Sequence, residues 1–591
     1  MGFDFDSIPL HTAKACGYDH FLNIGSSKEI TSFCRKVRAM LEEAEGIDQT
    51  RLSPEQLVDL ELIVSQLKLE LVKWEKIQAY RKDPGFYLPL NAILYLLPTW
   101  GPEASSESSL LDCTHPGVMD MTVDERLLAL HSRLMAIPSL LCTAHENLTS
   151  PVLEYVKTAI DICSSFVTFL RDTLPHLCSF LLTSVSSQTS HAHGGILSEI
   201  STTANVAADC VEKYANFLRD DILHQSSTTL GVGREAYEEI LKYEHFIDSS
   251  EDLLTLGEEH FQQVKKELES LAAEIDPNRT WQEITEQDIN TKHPAAADLL
   301  QTYLDEIERA RKHMLAKDLI SKLPPEEKVL GFSTPKFLMP FSPVGDYLNP
   351  SPFVGMGCRD STLSPSEYRV GHLMLHSIEA RCLPKLEENK LLRGHDYSWI
   401  SIVSPHESYP GHHVQALLAQ QHQRVLRKFH ESILFYEGWG LYTEELAYET
   451  GFFEKDQEYI DEETGNLKTV PAVDFARLTR LTQLRLRLWR AARIILDVKL
   501  NTGEITFEEC KEFLHREVKF NLGASQGEVF MYLSRPGYAP CYVAGFVMLM
   551  KLREEMKRKY QEDGKPFSLK DFHDLVLSKG CIPFKLLRSL I

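Results

Sequence analysis

The segment with the clearest chemical signature runs from His406 to His413 and reads HESYPGHH. In ordinary zinc peptidases, the pattern His-Glu-x-x-His places two imidazoles on one helix face, with the glutamate as general base. Here His406 and His412 are six residues apart, so an unbroken helix would point them to opposite sides. His413 would share the face of His406 but would lie roughly 10 Å further along the axis. On a regular helix, neither spacing lets two histidines hold one ion.

Pro410 and Gly411 change this expectation. A proline removes an amide donor from the helix and clashes with the preceding turn. A bulge at this point would return His412 to the side of His406. We therefore predict an expanded His-Glu-x-x-His site with two inserted residues, in which Glu407 is the base. His413 remains an alternative second ligand.

A third ligand is expected because a catalytic zinc usually has three protein ligands and one open position. The best candidate is Glu437, which follows His412 by 25 residues on what should be the next helix. Glu444, seven residues further on, could orient a histidine ligand by a hydrogen bond. His372 and His376 have true i, i+4 spacing, but no glutamate follows the first directly. We interpret that pair as part of a helix packing face.

These residue types predict metal-assisted hydrolysis of an amide, with Zn²⁺ as the cofactor. Glu407 would accept a proton from the attacking water and pass it to the leaving amine. Arg490 belongs to an arginine-rich helix and could hold a substrate carboxylate through two hydrogen bonds. A charge run on a long helix is more often a solvated or salt-bridged face, so this role has a structural alternative.

Helices must supply most of the framework for this site. Apolar residues recur at helical spacing in many stretches, namely Ile30–Glu45, Pro54–Arg81, Val123–Leu148, Leu153–Leu174, Ile196–Leu223, Glu251–Ile275, Ala295–Leu323, Tyr368–Leu383, Ser404–Gln423, Leu434–Thr450, Ala472–Leu500, Phe507–Lys519 and Tyr538–Tyr560. Short apolar runs between Val329 and Gly357 predict a few strands that could offer an edge to an extended peptide. Glu454–Asn466 is expected to form a loop or hairpin, and Glu103–Ser109 and Thr183–Gly195 are expected to be exposed linkers.

The predicted fold class is mainly α, a large helical fold with a central cleft and a small minor β-sheet. We divide the 591 residues into two regions because one hydrophobic core rarely serves more than roughly 250–300 residues. Residues 1–230 form an N-terminal helical region that could be a cleft wall, a lid or a dimer surface. Residues 231–591 form the metallohydrolase region with the zinc site.

Composition limits the expected partners and compartment. The net charge of −23 would repel nucleic acid and anionic membranes, so we expect neither as a partner. No apolar run reaches the roughly 18–20 residues of a membrane span, and the first residues lack the features of a signal peptide. The twelve cysteines are expected to be free thiols. These observations predict a cytoplasmic protein, and the site residues predict that it acts on a small peptide or an amide-containing small molecule. They leave open whether it forms a homodimer.

The chain resembles the domain of unknown function 885 (DUF885) family, whose members are inferred to be zinc metallohydrolases similar to helical gluzincin-type peptidases. Four stretches carry the resemblance, and they occur in the same order from about Gly233 onward: HESYPGHHVQ at His406–Gln415, EGWGLYTE at Glu437–Glu444, RAARIILD at Arg490–Asp497, and Glu528 with Tyr532, Pro536-Gly537 and Tyr542. The resemblance implies a gluzincin-like fold, zinc ligands His406, His412 and Glu437, and the base Glu407. Tyr542 matches a family tyrosine and is the first candidate for the donor that stabilises the oxyanion, with Tyr538 as the alternative.

Two positions depart from the family pattern. The family usually has Thr-Gly and then His after Asp497, where this chain has Val498-Lys499-Leu500-Asn501. The family usually has Gln after Pro536-Gly537, where this chain has Tyr538. Both changes are expected near the cleft. The leading hypothesis is a zinc metallopeptidase, and the departures favour, as its alternative, a hydrolase or tailoring enzyme for a non-peptide amide or ester metabolite. A catalytically silent helical binding protein is the third hypothesis, although it gives no reason for Glu407 beside His406.

Overall fold

Helices make up most of the fold, and the prediction of a mainly α protein with a minor sheet is confirmed. The structure is a computed structural model that describes residues 25–94, 96, 123–185, 194–334, 345–350, 369–376, 378 and 384–591. The predicted linkers Glu103–Ser109 and Thr183–Gly195 lie wholly or mostly outside these residues.

The N-terminal helices pack around a core of their own. They are α1 (Ser27–Glu45), α2 (Pro54–Leu71), α3 (Ala79–Lys82), α4 (Leu90–Leu94), α5 (Val123–Asn147), α6 (Leu153–Thr168), α7 (Leu174–Val185) and α8 (Gly194–Phe217). Ser26 and Ser53 begin the first two helices with capping boxes, which satisfy free amide groups at each start. Fully buried side chains of α5 and α8, such as Leu134 and Val211, lie in this core.

Helix α5 is long and apolar enough to cross a membrane, judged by length and composition alone. This finding corrects the expectation that no segment of the chain is long and apolar enough to span a membrane. The buried residues Leu130, Leu134 and Ile137 place one side of α5 inside the N-terminal core. A core helix of a soluble protein has the same length and composition, so the observation carries no conclusion about a membrane.

The remaining helices surround the candidate site and a larger core. They are α9 (Arg234–Ile240), α10 (Ser250–Ile275), α11 (Trp281–Ile284), α12 (Leu299–Ala316), α13 (Lys385–Leu392), α14 (Tyr397–Glu407), α15 (His412–Gln420), α16 (Val425–Phe429), α17 (Ile433–Glu449), α18 (Ala472–Asn501), α19 (Phe507–Phe513), α20 (Leu522–Ser534), α21 (Cys541–Glu562), α22 (Leu569–Leu577) and α23 (Phe584–Arg588). Helix α17 lies directly against α21, where a side chain at Gly438 would meet the backbone of Gly545. Because neither glycine has a side chain, the two backbones can approach this closely.

The minor sheet has three strands in the order β1-β3-β2, formed by Lys328–Thr334, Val370–His376 and Gly345–Leu348 respectively. Strand β1 runs parallel to β3, and β2 runs antiparallel to β3 with Leu348 opposite His372. The helix predicted over Tyr368–Leu383 is therefore wrong where the structure describes it. Its apolar run is short and is buried as a central strand, a case in which periodicity does not separate strand from helix.

The predicted loop or hairpin at Glu454–Asn466 is a hairpin that extends beyond this range: β4 (Gln457–Ile460) lies within it, and β5 (Leu467–Val470) directly follows it. The N-terminal helices dock on the larger core through α2, whose Val58 and Leu62 belong to that core. The fully buried Arg427 donates from Nε to Asp59 Oδ1 at 2.7 Å across this contact. The division at residue 230 stays a prediction.

Candidate metal centre

A break between two helices brings the first two predicted ligands together. Helix α14 ends at Glu407 and α15 begins at His412. Gly411 lies so close to the end of α14 that a side chain there would overlap the carbonyl oxygens of Pro405 and His406. The imidazole rings of His406 and His412 consequently lie 4.7 Å apart, nearly perpendicular to each other. The structure thus places these histidines side by side through a break in the helix rather than the expected bulge.

Helix α17 supplies Glu437 between the two rings. Glu437 Oε2 lies 3.7 Å from His406 Nε2 and 3.6 Å from His412 Nε2. The three ligand atoms lie within 4.8 Å of one another, and all three side chains are buried. Gly440 makes room for this arrangement, because a Cβ at that position would lie 2.5 Å from His406 Cε1.

The Nδ1 atom of each imidazole, which faces away from Glu437, is hydrogen-bonded to a neighbouring side chain. His406 Nδ1 lies 2.8 Å from Glu444 Oε1. Glu444 in turn accepts a hydrogen bond from Arg490 at 3.3 Å and forms an ion pair with it at 3.1 Å. His412 Nδ1 lies 3.2 Å from Gln415 Oε1. These contacts orient both Nε2 atoms toward Glu437, which is how proteins commonly fix metal-binding histidines.

The electrostatics of the three residues favour a positive charge among them. Burial lowers the pKa of His406, but hydrogen bonds to Glu437 and Glu444 outweigh burial and raise the pKa to about 10. Burial raises the pKa of Glu437, but contacts with His406 and His412 outweigh it and bring the pKa well below its usual range. Two imidazole nitrogens and a carboxylate are a donor set that zinc accepts in catalytic sites, so the residues present fit the predicted ion.

His413 points away from these ligands. Its Nδ1 lies 2.8 Å from the hydroxyl of Tyr347 on β2, and its Nε2 lies 3.0 Å from Glu327 Oε2. Glu327 also pairs with Arg311 at 2.9 Å and accepts from the Tyr409 hydroxyl. The side chain of His413 is fully buried in this network. The structure therefore favours His412 as the second ligand.

Two tyrosines of the C-terminal region form a wall beside Glu437. The Tyr538 hydroxyl donates to Glu437 Oε1 at 3.0 Å and lies 3.0 Å from the Tyr542 hydroxyl. The guanidinium of Arg493 lies 4.9 Å from the centre of the Tyr542 ring and is held by Glu528. Burial and the Glu437 charge raise the pKa of Tyr542, so its hydroxyl keeps its proton and can donate a hydrogen bond.

Three further predicted positions are now located. Arg490 is only 6 % exposed and lies behind Glu444, which favours positioning of that carboxylate over contact with a substrate. Asn501 is fully buried and donates to the carbonyls of Asp497 and Tyr532, so this departure from the family lies in the core. Of the two departures, Tyr538 is the one that contacts a predicted ligand.

Glu407 ends α14, directly after the ligand His406, and its side chain remains partly exposed. Burial raises the pKa of Tyr347 and of Tyr436, and the nearby charge of Glu407 raises both further. Glu407 has no hydrogen bond or ion pair with any other residue that the structure describes. A carboxylate in this position is available to a water molecule or a substrate.

Several residues of the site were missed by the sequence reasoning. Tyr436 stacks on the ring of His412 with centroids 3.7 Å apart and planes 4° from parallel. Gln415 lies three residues after His412 on the same helix, so helical spacing could have indicated it. Tyr436 stacks on a histidine of another helix, so helical spacing could not have indicated it. Tyr347 and Glu327 come from the strand region, and no local pattern links them to His413.

This arrangement defines a helical protein with a buried His-His-Glu centre. The DUF885 family profile, described as a bacterial protein of unknown function, matches residues 11–591. The chain therefore belongs to this family, over a longer span than the predicted resemblance from Gly233 onward. No curated protein matches the sequence at a significant level.

Two solved structures share the fold. One is from Shewanella oneidensis and is provisionally described as a lipoprotein of unknown function; it is 17% identical, with a TM-score of 0.72 over 99% of this chain and 97% of that chain. The other is from Colwellia psychrerythraea and is provisionally described as a lipoprotein; it is 16% identical, with a TM-score of 0.74 over 98% of this chain and 95% of that chain. At this identity the likeness concerns the fold alone.

The prediction of a cytoplasmic location is corrected by these structures. Both similar proteins are described as lipoproteins, a class that carries a covalent lipid anchor. The prediction relied on the first residues of the sequence and on scattered cysteines, and neither feature identifies the compartment in which this fold works. We therefore withdraw the cytoplasmic assignment.

Proposed function

We propose that this protein is a zinc-dependent hydrolase that cleaves amide bonds of small peptides. The observation that carries the proposal is the convergence of three buried ligand atoms, from His406, His412 and Glu437, within 4.8 Å. Glu444 and Gln415 hold the opposite nitrogens of the two imidazoles, so the donor atoms are oriented before an ion binds.

A zinc ion held by these residues would polarise a substrate carbonyl and lower the pKa of a water molecule. Glu407 takes the proton from the attacking water and returns it to the leaving amine. It is suited to this because it directly follows a ligand, is partly exposed and has no partner among the described residues. The hydroxyl of Tyr542 donates to the oxyanion that forms at the carbonyl, and Tyr538, whose hydroxyl donates to Glu437, is the alternative donor.

The burial of the site supports a small or extended substrate. His406, His412 and Glu437 are 4 %, 2 % and 6 % exposed, so only a thin segment of a substrate reaches them. Tyr538, which replaces the usual family residue, contacts Glu437 directly. This contact favours non-peptide amides and esters as the second class of candidate substrates.

The test is hydrolysis of short peptides, amides and esters by the zinc-loaded protein, by metal-stripped protein and by Glu407→Gln. We expect turnover only with zinc. We expect Glu407→Gln to keep its zinc and to lose turnover by roughly 100- to 10,000-fold, the usual contribution of a general base. Zinc-loaded protein that cleaves none of these substrates would overturn the proposal and favour a binding protein.

A further inference from the structure

Tyr436 covers one face of a predicted metal ligand. Its ring lies on the imidazole of His412, with centroids 3.7 Å apart and planes 4° from parallel. Tyr436 also directly precedes Glu437 on α17, so chain geometry and ring contact both place it at the metal centre. Part of its side chain is open to solvent, whereas both ligands beside it are buried.

The end of strand β2 holds the hydroxyl of this tyrosine. Asn349, which directly follows β2, donates from Nδ2 to the Tyr436 hydroxyl oxygen at 2.7 Å. Two residues earlier, the hydroxyl of Tyr347 lies 2.8 Å from His413 Nδ1 on α15. The end of β2 is therefore tied to both α15 and α17. The stacked ring and the Asn349 amide together fix where the Tyr436 hydroxyl lies.

The proton of the Tyr436 hydroxyl has no acceptor. Its oxygen accepts from Asn349, and no residue in the described part of the chain accepts its proton. Other tyrosines of the site differ, because Tyr409 donates to Glu327 and Tyr538 donates to Glu437. Burial raises the pKa of Tyr436 well above its usual value, so the hydroxyl remains a donor at neutral pH.

Asn349 itself is not explained by packing. Its Oδ1 atom is buried and has no hydrogen-bond partner. An unpaired buried acceptor destabilises a folded protein, and native structures contain few of them. The contact that Asn349 does make is with the Tyr436 hydroxyl, which favours a role in directing that group.

Hydroxyl groups therefore lie beside two different ligands of the metal centre. Tyr538 donates to Glu437 Oε1 and lies 3.0 Å from the Tyr542 hydroxyl. Tyr436 lies against His412 instead. Since Tyr542 is the first candidate for the donor to the oxyanion, the proton of Tyr436 is available to another oxygen of the same substrate.

We propose that Tyr436 is a substrate-binding residue whose hydroxyl donates to a carbonyl oxygen next to the scissile bond, and that Asn349 is its positioning residue. The proposal rests on the proposed function, because it requires the scissile carbonyl to lie at the metal centre. An uncharged donor suits the uncharged carbonyl of an amide or ester, a group that peptides and the non-peptide candidates share.

Tyr436→Phe is the first test, because it keeps the ring on His412 and removes only the hydroxyl. We measure kcat and KM of the zinc-loaded protein for N-acetylated alanine peptides. Loss of one neutral hydrogen bond should raise KM by roughly 3- to 10-fold and leave kcat and zinc affinity unchanged. Tyr448→Phe removes a hydroxyl from an exposed position of the same helix and should match the wild type.

Asn349→Asp tests the positioning role without a change in size. An ionised carboxylate only accepts hydrogen bonds, so the Tyr436 hydroxyl must turn its proton toward residue 349 and away from the substrate. We expect the same rise in KM as in Tyr436→Phe. The double variant should show no further rise, because the hydroxyl is already absent. An unchanged KM in Asn349→Asp, or a further rise in the double variant, would overturn the role of Asn349.

Binding gives a readout that does not depend on turnover. Calorimetry measures the affinity of N-acetyl-trialaninamide for zinc-loaded Glu407→Gln, which lacks the proposed base. Adding Tyr436→Phe to this variant should weaken binding by roughly 3- to 10-fold. Equal affinities, including no binding to either protein, would overturn the donor role whether or not peptides are cleaved.

The remaining outcomes separate this proposal from the proposed function. If Tyr436→Phe weakens binding but the wild type hydrolyses no substrate, the donor role stands and the hydrolase proposal fails. If Tyr436→Phe lowers kcat and leaves KM unchanged, the hydrogen bond is made to the oxyanion and the assignment to a neighbouring carbonyl is overturned. Loss of zinc in Tyr436→Phe would likewise overturn it, because the hydroxyl would then act on the metal centre.

Discussion

Glu444 offers a way to separate orientation of a metal ligand from general stability. It holds His406 Nδ1 at 2.8 Å and is also the ion-pair partner of Arg490, and both acid and arginine are buried. Glu444→Gln keeps the size of the side chain but removes its charge. We expect zinc affinity to fall by roughly 10- to 100-fold, the usual effect of losing a contact that orients a metal ligand. We also expect the metal-free protein to lose about 3 kcal/mol of unfolding free energy, because Arg490 keeps a buried charge without a charged partner.

The neighbouring Glu445 is a matched control on the same helix. It pairs with Arg480 and Arg487 at 2.6 Å each and has no contact with His406. Glu445→Gln should therefore cause a comparable loss of stability and leave zinc affinity unchanged. Zinc affinity is measured by competition with a chromophoric chelator, and stability by urea unfolding of the metal-free protein.

A double variant completes the comparison. Glu444→Gln with Arg490→Met removes both charges, so we expect most of the stability to return while zinc affinity stays low. Zinc affinity in Glu444→Gln equal to that of the wild type would show that Glu444 does not orient the ligand His406. An equal loss of zinc affinity in Glu445→Gln and Glu444→Gln would show that the effect follows from stability alone.

Two further predictions concern the packing behind the site. Gly440→Ala places a methyl group against the ring of His406 and should lower zinc affinity at least ~10-fold, as measured by competition with a chelator. Gly527→Ala is the control, because its new methyl group meets nothing within 4 Å and zinc affinity should not change. Equal zinc affinities in the two variants would contradict the close contact of Gly440 with His406. Burial raises the pKa of Asp497 to about 7, against the effect of hydrogen bonds from Tyr237 and Gly537. Since an unfolded aspartate has a pKa of ~3.9, the folded protein binds the extra proton between about pH 4 and pH 7, and stability should fall over that window by about 4 kcal/mol as the pH rises. Urea unfolding at several pH values should show that the unfolding free energy of Asp497→Asn falls less between pH 4 and pH 7 than that of the wild type, by about 4 kcal/mol. The same pH dependence of stability in wild type and variant would contradict the raised pKa of Asp497.

The sequence predicted most helices well, because long amphipathic stretches have a clear period. Helix α18 was expected at Ala472–Leu500 and is found at Ala472–Asn501, and α10 was placed within one residue. Strand β3 was mistaken for a helix because its pairing on both sides depends on β1 and β2, which are distant in sequence. Local patterns do not contain that information.

For the candidate site, the sequence indicated the group of ligands but left their geometry open. The six-residue spacing of His406 and His412 led to the prediction of a bulge at Pro410 and Gly411, and the structure has a break between two helices there instead. The choice between His412 and His413 depended on Tyr347, which meets His413 only through tertiary packing. The same limit applied to Arg490, whose contact with Glu444 joins two separate helices.

The metal centre is tested most directly by calorimetric titration of zinc into the metal-stripped wild type and four single variants. We expect one equivalent of tightly bound zinc in the wild type and in His413→Gln. We expect His406→Ala, His412→Ala and Glu437→Gln each to lose that binding while they still unfold cooperatively. A wild type that binds no stoichiometric metal would show that these residues do not form a zinc site. Loss of zinc in His413→Gln with retention in His412→Ala would show that the ligand set is wrong.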